Sequence, residues 1–112
     1  LPADRGRAIR RSRPWDEAPR INLGGVHVDD RLLSPRSEQR VQLLRSELAA
    51  DAHGGRELYT INGDVEVLHV VSGRVAVRFA DRTVSLSPGD ALTFPGREPH
   101  TWEVEGGSPA VV

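Results

Sequence analysis

One strand-like segment places a carboxylate where apolar side chains are expected. In the run VEVLHVVS (65–72), alternate residues point to opposite faces of a strand, so Glu66 shares its face with Leu68 and Val70. A carboxylate on a core face must find a hydrogen bond, a cation or a metal ion, or else take up a proton. Glu66 is therefore a candidate binding residue.

Thr60 and Asn62 lie an even number of residues upstream of Glu66. They would therefore share its strand face if the Asn-Gly-Asp turn at 62–64 keeps the register. Their hydroxyl and amide groups donate and accept hydrogen bonds, which suits an organic ligand better than a metal ion. We expect both side chains to lie beside Glu66.

A second segment, GDALTFPGREPHTW (89–102), places His100 at the start of a strand, with Trp102 on the same face. A histidine in this position is often structural, but it is also the side chain that most readily binds a ligand or moves a proton near neutral pH. Both interpretations of His100 stay open.

These side chains need a framework, and the sequence predicts an all-β one. From Ile21 onward, β-rich runs alternate with turn residues about every 8 to 12 residues, as in a sandwich or barrel. The segment 36–50 also fits a helix locally, but the surrounding spacing favours a strand. We predict strands at 26–33, 40–48, 56–61, 66–72, 74–80, 82–87, 91–95, 100–105 and 110–112.

Composition and charge indicate one domain behind a basic leader. The 112 residues suit a single core, and all 15 basic residues are arginine. Residues 1–20 hold six arginines against three acids, whereas residues 21–112 hold nine against 13. We interpret 1–20 as a solvated, Arg-rich linker that Trp15 anchors to the domain at 21–112, with contact to phosphate as the less favoured alternative. The acidic body argues against direct nucleic-acid binding.

Several classes of protein and site are excluded. The chain has no cysteine, so disulfides and thiolate metal sites are absent. No apolar run approaches the ~18 residues of a membrane span, and no signal peptide is recognisable, so we expect no membrane partner and a cytoplasmic location. The chain also contains no methionine, and we expect it to be part of a longer translation product.

The two segments resemble the motifs of the cupin superfamily. Glu66 precedes Gly73 by the spacing at the end of the family's first motif, and the succession of Gly89, Pro95 and His100 matches the second. The two histidine positions of the first motif hold Thr60 and Asn62 instead. In the second motif, Arg97 replaces a glycine and Val104 replaces the terminal asparagine.

The resemblance implies a metal held by three histidines and a glutamate, but only Glu66 and His100 remain as weak candidate ligands. Two ligands are fewer than a facial iron site or a catalytic zinc site requires. His69 has the wrong parity, and His27 and His53 lie in or near turns. We therefore expect no cofactor, with a divalent metal as the less favoured alternative.

Residues 24–112 also resemble the C-terminal sensor domain of Xre-type helix-turn-helix regulators. This resemblance implies a double-stranded β-helix, a small jelly-roll barrel of two antiparallel sheets with an internal pocket. The expected ligand-binding residues are Thr60, Asn62, Glu66, His100 and Trp102, with Tyr59 and Phe94 as weaker candidates.

The function implied is a small-molecule-sensing, dimerising domain of a transcriptional regulator. DNA would be contacted only through a helix-turn-helix domain upstream of Leu1, and a homodimer is expected because strand 26–33 offers a free edge. The alternative is a cupin enzyme, an isomerase or dioxygenase, with His100 as base or ligand and Glu66 as ligand or acid. A third alternative is a binding or scaffold module with no ligand.

Overall fold

The computed structural model describes residues 9–112, so the first part of the predicted leader lies outside the described residues. A short 3₁₀ helix at Trp15–Glu17 precedes a series of strands. The strands are β1 (Arg20–Ile21), β2 (Val26–Leu32), β3 (Leu44–His53), β4 (Val65–His69), β5 (Arg74–Phe79), β6 (Thr83–Leu86), β7 (Ala91–Pro95), β8 (His100–Glu105) and β9 (Ala110–Val111).

The strands form two antiparallel sheets that face each other. The large sheet has the order β1-β2-β3-β8-β5-β6, with β9 also pairing with β3, and the small sheet consists of β4 and β7. The architecture is an all-β jelly roll, as predicted. No helix among residues 9–112 is long and apolar enough to cross a membrane.

The hydrophobic core lies between the two sheets. Alternation along the strands sends one set of side chains inward, and Phe79 of β5 meets Phe94 of β7 edge-on, with ring centroids 5.2 Å apart. This contact joins the large sheet to the small one. The buried cluster contains Leu48, Ala52, Val70, Val75, Val77, Phe79, Leu86, Phe94 and Ala110.

Two predicted strands need correction. The strand predicted at 40–48 is β3, at Leu44–His53, so residues 40–43 belong to the preceding loop. Residues 56–61 form no strand, and Tyr59 alone makes an isolated bridge, to His100. The β-rich composition of 56–61 was misleading because a strand also needs a neighbour along its whole length. Here Tyr59 forms one bridge and Ile61 makes one further backbone hydrogen bond, to Gly96.

The edge of β2 is also less free than predicted. Arg20 and Ile21 of β1 pair with Arg31 and Asp30, which covers the C-terminal half of that edge. The argument for a homodimer from an open strand at 26–33 therefore loses much of its basis.

Contacts with the large sheet begin before Ile21. The guanidinium of Arg45 lies 3.8 Å from the centroid of the Trp15 ring, and Arg31 Nη1 donates hydrogen bonds to the carbonyl oxygens of Asp16 and Ala18 at 3.1 and 3.0 Å. Ala18 itself is buried. The end of the predicted leader thus packs on the domain.

Candidate functional site

A cavity of about 1000 Å³ lies between the two sheets. Its lining includes Glu66 and Leu68 from the inner face of β4 and Val67 and His69 from its other face. The cavity therefore reaches around the edge of β4 that does not pair with β7. Its apolar lining comes from both sheets and includes Leu44, Leu48, Leu68, Val75 and Val112.

Exposed apolar side chains surround the opening of the cavity. We call this set the mouth, and its members are all more than half exposed. The mouth consists of Leu23, Leu43, Val67 and Val71.

Glu66 and His100 come together, as the sequence indicated. Glu66 Oε2 lies 3.3 Å from His100 Nε2, and the side chains are 28% and 2% exposed. The two atoms are within ion-pair distance but are not aligned as a hydrogen bond, and neither has another partner among the described residues. They form a close pair at the wall of the cavity.

The second ring nitrogen of His100, Nδ1, faces a backbone carbonyl group. His100 Nδ1 lies 2.9 Å from the carbonyl oxygen of Glu98, which can only accept, so Nδ1 carries a proton. His100 Nε2 and Glu66 Oε2 then attract each other only when one of the two atoms carries a proton. Burial raises the pKa of Glu66, while a positive charge on His100 opposes that rise.

His100 is a buried residue behind the wall of the cavity. Its ring centroid lies 4.6 Å from those of both Tyr59 and Phe94, and it does not line the cavity. His100 thus lies behind the cavity lining, and its role in ligand binding stays a prediction. Phe94 is likewise buried behind the lining. Only Glu66 of the pair reaches the cavity.

Thr60 and Asn62 do not join the site. Both are exposed and neither lines the cavity, which corrects the prediction that they lie beside Glu66. The reason is that residues 60–64 are not in a strand, so the alternation of β4 does not extend back to them. Trp102 and Tyr59 do line the cavity, as predicted.

The structure adds a second carboxylate that the sequence analysis missed. Asp30 of β2 and Ser46 of β3 are directly opposite in register, both are 8% exposed, and Ser46 Oγ donates a hydrogen bond to Asp30 Oδ1. Burial raises the pKa of Asp30, the Ser46 hydrogen bond lowers it, and the charge of Asp29 raises it. Both side chains line the cavity.

The alternation of side chains along β2 could have revealed Asp30. It lies on β2 between Val28 and Leu32, which are apolar and share its face. The argument that selected Glu66 therefore applies equally to Asp30.

Tyr59 lies in the electrostatic field of both carboxyl groups. Burial is the main cause of its raised pKa, and the charge of Glu66, followed by that of Asp30, adds to it. The phenol ring thus stands near the two acids as well as against His100.

The donor set does not fit the metal that the family resemblance implies. Among residues 9–112, no three histidine, aspartate or glutamate side chains converge as metal ligands. His27 Nδ1 contacts Asp51 at 2.9 Å, and His53 Nδ1 accepts a hydrogen bond from the amide of Gly55. Neither histidine can complete the pair of Glu66 and His100.

Comparisons with known proteins agree with the fold. The family model described as a cupin domain matches residues 49–112, more than half of the chain. A search of curated proteins finds no match.

Among solved structures, an HTH_3 family transcriptional regulator from Vibrio cholerae is similar, with 18% identity and a TM-score of 0.64 over 82% of this chain. This chain spans 51% of that regulator. The Cupin_2 domain of an XRE family transcriptional regulator from Enterobacter cloacae gives 21% identity and a TM-score of 0.65, with 77% of this chain and 90% of that one covered.

An enzyme has the same fold. The polyketide cyclase RemF from Streptomyces resistomycificus is 17% identical, with a TM-score of 0.72 over 92% of this chain and 75% of the cyclase. Fold similarity alone therefore covers both regulators and enzymes.

Proposed function

This chain belongs to the cupin family, and from that membership we propose that its cavity binds a small organic molecule and that its dimer relays binding to a DNA-binding domain elsewhere in the protein. The observation that carries the proposal is the cavity itself. It combines a large apolar surface with a few polar groups, as small-molecule sites do, and no three side chains of residues 9–112 converge there as metal ligands.

The regulators from Vibrio cholerae and Enterobacter cloacae support the relay. In both comparisons a cupin-like domain belongs to a transcriptional regulator. The mechanism requires the ligand to bind one dimer geometry better than another, because a ligand with equal affinity for both shifts no equilibrium.

The solvent side of the small sheet supports a dimer. We call this side the outer face, and its six side chains are exposed and carry no carboxylate or guanidinium group. The register places them in three opposed pairs, which makes a continuous surface. A second copy of the chain would remove this apolar surface from water. The outer face consists of Val65, Val67, His69, Ala91, Thr93 and Pro95.

A ligand screen tests the proposed function. We expect at least one metabolite to raise the melting temperature and to give a saturable calorimetric titration, because a ligand that binds only the folded state stabilises it. Glu66→Gln should weaken that binding about tenfold by removing a charge-assisted contact in the cavity.

The matched control is Glu103→Gln. Glu103 is an exposed acid on β8 next to Trp102 and lies outside the cavity lining, so its replacement should leave the affinity unchanged. Equal affinities for the wild type and Glu66→Gln, or no binder in a broad screen, would remove the cavity as the functional site.

An enzyme remains the second candidate because an imidazole nitrogen of His100 and a carboxylate oxygen of Glu66 lie 3.3 Å apart, which is the arrangement of an acid-base pair. Elemental analysis of protein purified without chelators separates the two. Stoichiometric metal that is lost in His100→Gln favours the enzyme, whereas metal-free protein that still binds the screened ligand favours the sensor.

A further inference from the structure

The cavity contains a buried carboxylate that lacks a counter-charge. Asp30 is 8% exposed, and its only hydrogen bond among the described residues comes from Ser46 to Oδ1. No arginine or histidine of residues 9–112 lies within 4.0 Å of it, although neighbouring Asp29 contacts Arg20 and Arg31. A buried carboxylate gains most from a cation, and Oδ2 remains available to one.

The other polar groups of the cavity also favour a positive charge. Glu66 supplies a second acid, and Tyr59 and Trp102 present aromatic rings, whose faces attract cations. The two acids do not converge tightly enough with a third ligand to hold a metal ion. An organic cation, which is larger than a metal ion, is therefore the better match.

The arginines of the lining are poorly placed for an anionic ligand. Arg45 already contacts the Trp15 ring at 3.8 Å and Glu47 Oε1 at 2.8 Å. Arg56 is exposed to solvent, where a charge interaction is weak. The cavity thus offers acids and aromatic rings, while its two arginines are engaged or exposed to solvent.

From these contacts we propose that the ligand is a protonated amine on an apolar body, with its ammonium group at Asp30 and its body against the aliphatic lining. The inference rests on the proposed function, because it names the chemical class of the ligand in the same cavity. Leu44, Leu48 and Val75 offer the body no hydrogen bond, so affinity should grow with apolar area.

The test compares three skeletons, each as amine, alcohol and carboxylic acid: hexyl, cyclohexylmethyl and phenethyl. Calorimetry near neutral pH at fixed salt should show the amine binding about tenfold more tightly than its matched alcohol, because a charge-assisted hydrogen bond is stronger than a neutral one. The acid should bind more weakly than the alcohol.

Two asparagine variants locate the ammonium group. Asp30→Asn should remove the preference for the amine, with little effect on the alcohol. Asp29→Asn is the matched control, because Asp29 is the adjacent carboxylate on the same strand but points away from the cavity lining. The wild-type preference should persist in that variant.

The outcomes separate this inference from the proposed function. Amines that bind no better than alcohols for every skeleton, or a preference that survives Asp30→Asn, overturn the inference. If the alcohols, the acids or another metabolite still bind in a Glu66-dependent way, the proposed function stands without it. If nothing binds, both fail.

Discussion

At the scale of single residues, His100 is held by packing as well as by hydrogen bonds. Its ring lies between Tyr59 and Phe94, and its Nδ1 is anchored to a backbone carbonyl. Removing the ring would leave a void and an unpaired carboxylate, with a stability loss of about 3 kcal/mol. Glu66→Gln is therefore the cleaner probe of binding, since it leaves the ring in place.

Asp30 gives the pH dependence of stability a definite sign. Its carboxyl group has a raised pKa in the folded chain, compared with its usual 3.8. The stability that this group contributes is fully present at pH values below its usual pKa. It is lost as the pH rises through the raised pKa of the folded state. Asp30→Asn removes this loss, so its stability relative to the wild type should increase with pH across that window.

Denaturant unfolding at a series of pH values measures this effect. Ser46→Ala is the reciprocal variant, because the Ser46 hydrogen bond lowers the pKa of Asp30. Without that bond the loss of stability should extend to higher pH. Parallel profiles for the wild type and Asp30→Asn would contradict the assignment.

At the scale of elements, Gly73 fixes how the β4–β5 connection meets β9. It has φ +75°, and a Cβ atom there would lie 2.5 Å from the carbonyl oxygen of Pro109 and 2.6 Å from Ala110 Cα. Backbone atoms cannot move aside as a flexible side chain can. Gly73→Ala should therefore cost about 3 kcal/mol, from left-handed strain plus overpacking.

Gly107 provides the control for this prediction. Its φ is +73°, but nothing lies within 4 Å of an added Cβ atom. Gly107→Ala should cost only the conformational strain, about 1 kcal/mol. Urea denaturation of both variants measures the difference, and equal losses would show that the approach of β9 is not what requires Gly73.

The sequence pattern alone was enough to locate strands that have neighbouring strands along their whole length. The alternation in β5, β7 and β8, bounded by turn residues, placed them within a residue or two of their observed bounds. It failed at 56–61, where only Tyr59 forms a bridge and Ile61 makes a single further backbone hydrogen bond, to Gly96. Pairing is a property of the whole sheet, so it cannot be read from one segment.

Site residues were likewise predictable from the sequence only where they lie within a strand. Strand alternation identified Glu66 as an inward-facing carboxylate, and the motif resemblance paired it with His100 as a site residue. Parity failed for Thr60 and Asn62 because the intervening residues leave the strand. Strand alternation would have succeeded for Asp30, because Val28 and Leu32 share its face.

At the scale of the whole molecule, the proposed dimer forms through the outer face. Val65 is 57% exposed on this face and does not line the cavity. Val65→Arg should convert a dimer into a monomer, because an arginine within an apolar interface must lose its hydration. Sedimentation velocity measures the change.

Thr83→Arg serves as the comparison variant, since Thr83 is exposed on β6 at the far edge of the large sheet. That variant should remain dimeric. A wild-type protein that sediments as a monomer at high concentration would remove the dimer, as would a Val65→Arg variant that still dimerises.

One consequence follows from the position of Val67, which belongs both to the outer face and to the mouth of the cavity. A second copy seated on the outer face would touch the rim through which a ligand enters, so occupancy and self-association would be linked by mass action. The apparent ligand affinity would then change on dilution of the protein. By thermodynamic reciprocity, a saturating ligand would change the dimer dissociation constant by the matching factor.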